Sequence, residues 1–276
     1  PSLVVVPTRE LADQVEEEFR NFSKDMDFSS LCFIGGTDVQ KDMRKLHELK
    51  PEVVVGTPGR LNDLIRRGGL NLSEFKVLVL DEFDRMLDMG FIEDVRDLID
   101  KMKGREQTLL FSATTGHKLR PIWSMILHDP VEVKVHSGKQ STDMVEQDII
   151  KLEVGMNRYR VLIEILTREE AKKSLVFAET KKSVEHVYQK LQKAGLKVGA
   201  IHGDMTQNAR KRTLDDFREG KLDILCATDV AARGLDIEDV THVVNFEPPS
   251  NYESYMHRVG RTGRAGKRGW AYTFIN

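Results

Sequence analysis

The sequence predicts an α/β protein of two domains, each a mainly parallel sheet flanked by helices, joined by a short linker. Three observations predict it. The chain has 276 residues, enough for two domains of ordinary size. Short apolar runs alternate with amphipathic stretches, the rhythm of buried strands leading into covering helices. That rhythm stops once, in a polar stretch, and then starts again.

Taken in order, "SLVVVP" (2–7) reads as a buried strand. The following "RELADQVEEEFRNF" reads as a helix, with Leu11, Val15 and Phe19 four apart on one face. "LCFIGG", "VVVGTPGR", "KVLVLDEFD" and "TLLFSAT" are further apolar runs that end in polar or glycine residues. The polar "HSGKQSTDMVE" (136–146) suggests a linker at 137–146, between a domain at 1–136 and one at 147–276. The rhythm resumes with "SLVFAET", "KVGAIHGD", "DILCATDVAARG" and "THVVNFE". No near-identical repeat joins the halves, so two similar architectures are expected rather than a solenoid.

Hydrophobic residues make up 40 % of the chain, which can fill real cores and argues against disorder. No apolar run approaches the roughly 18 to 20 residues needed to cross a bilayer, and no signal-peptide pattern opens the chain. No membrane partner is expected. The two cysteines, Cys32 and Cys226, lack any C-x-x-C neighbour. They read as small core residues in a reducing compartment, and the cytoplasm is the expected location. The net charge is −2, with the first half acidic and the second basic. A polyanionic partner and solvated lysine-rich helix faces both fit that balance.

In open α/β sheets ligands sit at the carboxyl ends of strands, and the unusual residues of this chain cluster there. Asp81 and Glu82 follow four apolar strand residues directly. One carboxylate there suits a magnesium ion held through water and its neighbour an attacking water; an acidic pair that merely ends a strand and caps a helix is the commoner arrangement. In "HRVGRTGR" (257–264), glycines every third residue disfavour a continuing helix, each costing about 1 kcal/mol. A loop after a short helix is predicted instead. Its arginines suit phosphate oxygens, or simply form a solvated basic loop. "PTREL" (7–11), "GG" (35–36), "TPGR" (57–60) and "HGDMTQNAR" (202–210) place small, hydroxyl or arginine residues where strands give way to helices. Such sites bind phosphates, or are N-caps and turns. No His/Cys spacing suggests zinc. Apart from Phe177, no aromatic platform for stacked bases is found.

Taken together, PTREL, GG, TPGR, DEFD, SAT, VFAET, HGD with Gln207 and Arg210, ATDVAARGLD and HRVGRTGR closely resemble, in order and spacing, the DEAD-box RNA helicases. The resemblance covers nearly the whole chain. It implies two RecA-like domains with an ATP cleft between them and an RNA surface across both. Asp81 would hold magnesium through water and Glu82 would position the hydrolytic water. Arg261 and Arg264 would reach the γ-phosphate. Gly234 and Asp236 would contact the nucleotide. Asp84, Ser112, Thr114 and His257 would join hydrolysis to closure. RNA would run past Thr8, Arg9, Gly36, Thr57 and Arg60, then Gly203, Gln207, Arg210, Thr228, Asp229 and Arg233. Such backbone contacts carry little sequence information.

Two departures stand out. The third position of the acidic motif, alanine in the family, is Phe83 here. Overpacking costs about 1–3 kcal/mol unless neighbours adjust. The second departure is the phosphate loop G-x-x-x-x-G-K-[ST]: no Gly-Lys pair in the chain is followed by Ser or Thr. The first domain is therefore expected to be incomplete at its start, since a sheet lacking a central strand exposes an edge. These 276 residues alone are expected to be inactive as an ATPase. The alternatives are a non-catalytic RNA-binding clamp and a DNA translocase of the wider superfamily.

Overall fold

The computed structural model describes the chain except residues 114–119, 135–143, 233–236, 238 and 276. It divides into two compact units, Pro1–Val133 and Lys134–Asn276. Thr114, Arg233, Gly234 and Asp236 lie outside the described residues.

The first unit runs β1 (Ser2–Val5), α1 (Arg9–Phe22), β2 (Ser30–Phe33), α2 (Val39–Leu49), β3 (Val53–Gly56), α3 (Pro58–Arg66), β4 (Val77–Leu80), α4 (Phe83–Asp88), α5 (Ile92–Lys101), β5 (Gln107–Leu110) and α6 (Arg120–Ile126). Its five strands are parallel, in the order β2-β3-β1-β4-β5. Alternate residues of β1 feed opposite cores. Leu3 and Val5 pack on one face with Leu61, Leu64 and Leu98; Val4 and the following Val6 pack on the other with Ala12 of α1. Burial on both faces explains why these strands are apolar runs rather than alternating ones. At the outer edge lies β5, where Leu109 and the following Phe111 are 37 % and 52 % exposed.

Phe83 is fully buried in the first of these cores, with Met86, Val95 and Leu98. Its amide donates to the Phe111 carbonyl at 3.0 Å, which ties the start of α4 to the end of β5. The large ring is thus accommodated as a core residue. Phe83→Ala is expected to cost about 3 kcal/mol through the cavity it leaves, read as a lowered urea midpoint.

The second unit runs β6 (Val145–Lys151), α7 (Arg158–Leu166), β7 (Ser174–Phe177), α8 (Lys181–Lys193), β8 (Val198–Ile201), α9 (Gln207–Arg218), β9 (Ile224–Ala227), α10 (Asp229–Ala232), β10 (His242–Asn245), α11 (Tyr252–Val259) and β11 (Gly269–Ile275). The sheet order is β6-β11-β10-β7-β9-β8, again parallel throughout. Val145 and Glu146, expected in the linker, lie in β6 instead. The reason is position. As an edge strand, β6 is exposed at Glu146, Gln147 and Asp148, so it lacks the apolar signature of the inner strands. Cys226 is fully buried, as expected of a core residue, whereas Cys32 is half-buried with its thiol 3.7 Å from Asp13 Oδ1.

His242 is buried at 1 % exposure, stacked on Trp270 at 4.9 Å and on Tyr272 at 6.0 Å. Burial first, and the nearby Arg168 cation second, push its pKa from 6.5 down to about 4; Glu170 opposes them. The folded state therefore favours neutral imidazole. Its stabilising contribution is present above pH 6.5 and is lost as pH falls toward 4, because only the unfolded chain binds the proton readily there. Between those limits the second unit should lose on the order of 2 kcal/mol, allowing for solvent screening at the Arg168 edge. His242→Gln should flatten that slope in denaturant titrations across the range.

No helix among the described residues is long and apolar enough to cross a membrane.

Candidate functional site

In the first unit, strand register brings the sequence motifs side by side. Val5 of β1 lies opposite Gly56 of β3 and Leu80 of β4; Gly56 lies opposite Phe33 of β2, and Leu80 opposite Leu110 of β5. The segments leaving these five positions share one edge of the sheet. Their spatial order is Gly36, Thr57, Thr8, Asp81, Ser112, which differs from their order along the chain. Gly36, Thr57 and Thr8, with their neighbouring arginines, thus fall on one side, and the acidic pair and Ser112 on the other.

On the basic side, Thr8 caps α1, its hydroxyl accepting from Leu11 N at 3.3 Å. Arg9 lies across the glycine pair. A Cβ built on Gly36 would stand 2.7 Å from Arg9 Nη1, and Gly36 has φ +88°. Only glycine meets both demands without strain. Arg60 is buried: Nη1 donates to Asp42 Oδ2 at 3.0 Å and Nη2 to the Thr37 carbonyl at 2.7 Å. It therefore fixes the loop that carries Gly36. Thr57 starts α3 without a side-chain capping bond.

On the acidic side, Asp81 follows β4 directly, and its Oδ1 accepts from Glu82 N at 2.8 Å. Its carboxyl sits above the usual range, chiefly through burial, opposed by that hydrogen bond and reinforced by the charge of Asp84. A carboxylate destabilised in this way fits a cation, which would relieve both effects. Glu82 has φ 48° and ψ 49°, left-handed backbone that is strained for glutamate. Four hydrogen bonds fix it. Its carbonyl accepts from Arg85 N and Met86 N, the next amide is held by Phe111 O, and Arg85 Nη1 donates to its Oε2 at 2.8 Å. Asp84 is buried within α4 and Ser112 is half-buried beyond β5.

In the second unit, Ile201 of β8 lies opposite Ala227 of β9, and Ala227 opposite Phe177 of β7. This sets Gly203 and the start of α9 beside Thr228 and Asp229. Gln207 is the first residue of α9; Arg210, one turn on, is buried. Thr228 initiates α10, its carbonyl accepting from Ala231 N and Ala232 N. The Asp229 carboxylate is taken by Arg258 of α11. Nε donates to Oδ1 at 2.6 Å and Nη2 to Oδ2 at 2.7 Å. Arg258 Nη1 also donates to Asn245 Oδ1 and to the Glu247 carbonyl, and its guanidinium stands 5.2 Å from the Phe177 ring centroid. Asp229 thus serves to hold Arg258, and both arginine and aspartate are occupied within the fold.

The helix α11 ends at Val259, and the predicted loop follows. Thr262 is buried and anchors it, donating to the Val240 or the Thr241 carbonyl at 2.6 and 3.0 Å. A Cβ at Gly269 would overlap the Thr262 hydroxyl, so glycine there lets β11 start against the loop. Arg264 Nε donates to the Gly260 carbonyl at 2.7 Å. Arg264 is exposed, and Arg261 and His257 are partly so.

The first unit matches the family model described as DEAD/DEAH box helicase over residues 1–122, and the second matches helicase conserved C-terminal domain over 157–266. The chain is 32 % identical to S. cerevisiae Dbp5 in a structure bound to RNA and ADP BeF3, with a TM-score of 0.86, covering 100 % of this chain and 71 % of that one. The chain belongs to the DEAD-box helicase family. Its two units are the two RecA-like domains of that family. Among curated DEAD-box relatives, ATP-dependent RNA helicase CshA of Listeria monocytogenes is 43 % identical, and DEAD-box ATP-dependent RNA helicase CshA of Bacillus subtilis is 41 % identical. Each alignment covers 99 % of this chain, but 52 % and 55 % of those proteins. The chain spans about half the length of the curated relatives it matches.

In this DEAD-box protein Arg85 escaped the sequence reading, and Arg258, read with its motif as suited to phosphate or as part of a solvated loop, is buried on Asp229 instead. Arg85 lies three residues after Glu82, the spacing of one helical turn, so its pairing was legible in principle. Arg258 follows buried Ser254 by four on the face that α11 packs inward. Its partner, 29 residues away, gave no local signal.

Proposed function

We propose that the complete protein is an ATP-dependent RNA helicase, binding RNA by its backbone and coupling ATP hydrolysis to local unwinding or remodelling of RNA–protein complexes. The observation that carries this reading is the Asp81–Glu82 pair at the carboxyl end of β4, with Glu82 held in strained backbone beside a half-buried Asp81. Strain of this kind collects at functional sites. Family membership supports the same reading, as do relatives whose names describe ATP-dependent RNA helicases.

In this proposal Asp81 holds magnesium through water, and the bound ion offsets phosphate charge. Glu82 orients the water that attacks the γ-phosphate. Arg261 and Arg264 of the second unit act on the same nucleotide, their fixed charge matched to phosphate oxygens. Gly234 and Asp236 bind the nucleotide. Asp84, Ser112, Thr114 and His257 couple hydrolysis to RNA binding. On the RNA side, Arg9, Gly36 and Thr57 contact the backbone in the first unit, and Gly203, Gln207 and Arg233 in the second. Thr8, Arg210 and Thr228 join these contacts, while Arg60 and Asp229, paired with Asp42 and Arg258, also place the loops and helix starts around them. Cytoplasmic location is part of the same reading.

A second reading, an RNA-binding clamp without catalysis, is favoured by one observation: no Gly-Lys pair in the chain is followed by Ser or Thr, the ending of a glycine-rich phosphate loop. RNA-stimulated phosphate release by the complete protein decides between the two, with Glu82→Gln as the control.

A further inference from the structure

Arg85 is 5 % exposed, on the first turn of α4. Its guanidinium meets Glu82 Oε2 at 2.8 Å, with 6 % and 29 % of the two side chains exposed. The pair is asymmetric in burial: the cation is sealed in the fold, and the carboxylate, borne by the residue next to Asp81 at the end of β4, is the more exposed partner. Glu82 carries left-handed backbone, so its side chain leaves the chain in a direction an ordinary helix start would not give. A glutamate has three rotatable side-chain bonds, and fixing it without a partner costs rotamer freedom. A buried guanidinium, planar and with donors in a fixed fork, removes that freedom in advance.

We propose that Arg85 is a positioning residue for Glu82, holding its carboxylate in the orientation from which it directs the hydrolytic water. This rests on the reading of Glu82 given above. Arg85 touches neither nucleotide nor RNA in this account; it acts only through Glu82. Its removal should lower the rate of the chemical step and leave binding alone, because a mispositioned group costs roughly a hundredfold when displaced by about 1 Å.

The test uses the complete protein. Arg85→Gln is expected to lower kcat for RNA-stimulated phosphate release about a hundredfold, with KM for ATP within about twofold of the parent. RNA affinity in the presence of a non-hydrolysable ATP analogue should also stay within about twofold. Arg85→Lys, which keeps the charge but not the fork, should recover kcat to within about tenfold of the parent yet stay below it. A merely structural arginine would instead weaken KM, RNA affinity and kcat together, and that result overturns the proposal. So does an unchanged kcat. Where Arg85→Gln fails to fold, Arg85→Lys decides alone: reduced kcat with intact KM and RNA affinity supports the role, and parental kcat overturns it. Phosphate release that survives Glu82→Gln would instead sink the functional reading itself, whereas loss in Glu82→Gln with full activity in Arg85→Gln removes only the role of Arg85.

Discussion

Arg258→Ala destabilises the second unit by about 3–5 kcal/mol, the range expected when one partner is removed from a buried ion pair. Arg258 is 3 % exposed and makes four hydrogen bonds: two to Asp229, one to Asn245 and one to the Glu247 carbonyl. These groups come from α10, from β10 and from the segment after it, so a single side chain holds together what surrounds the end of the central strands. The truncation leaves the half-buried Asp229 carboxylate and the fully buried Asn245 amide without the donor that satisfies them, and that desolvation is the larger part of the cost. Arg258→Lys should recover only part of the loss, since one ammonium cannot make a fork-to-carboxylate pair and reach Asn245 as well. Chemical denaturation of the two variants measures this. A loss below about 1 kcal/mol for Arg258→Ala would show that the network is exposed to water and contributes as surface pairs do.

The inner strands were legible because they are buried on both faces; "VVV" at 53–55 and "LVF" at 175–177 carry that directly. The edge strand β6 was not. One side of it pairs with β11 while Glu146, Gln147 and Asp148 face water, so its polarity resembled a linker. The acidic pair was legible as a motif at a strand end, and the arginine loop as one after a short helix. What the sequence did not separate was which arginines serve the fold and which face outward. Arg60 and Arg258 are buried by carboxylates 18 and 29 residues away, whereas Arg264, in the same motif as Arg258, is exposed. An arginine's role is decided by whether tertiary structure brings an acid to it, and that is a property of topology rather than of local spacing. The conformation of Glu82 was equally hidden, because nothing in "DEFD" announces left-handed backbone at a non-glycine residue.

The largest expected effect lies at Glu82 and Arg261. Glu82→Gln keeps the shape of the side chain and its backbone contacts while removing the charge proposed to orient and polarise water. General-base and water-positioning groups contribute about 10²–10⁴-fold, so phosphate release should fall into that range below the parent. Arg261→Ala removes a guanidinium proposed to meet charge developing on the transferring phosphoryl group, an interaction that contributes about 10³–10⁵-fold where it operates. Both losses should appear in kcat, with RNA still bound in the presence of a non-hydrolysable ATP analogue. On the same proposal residues 1–276 by themselves should release no appreciable phosphate, since no Gly-Lys pair among them is followed by Ser or Thr.

The most direct measurement is therefore steady-state phosphate release by the complete protein, with and without RNA, for the parent, Glu82→Gln and Arg261→Ala. The account predicts RNA-stimulated release in the parent and its loss in each variant alone. Release that persists in either variant, or turnover by residues 1–276 alone equal to that of the complete protein, would contradict it.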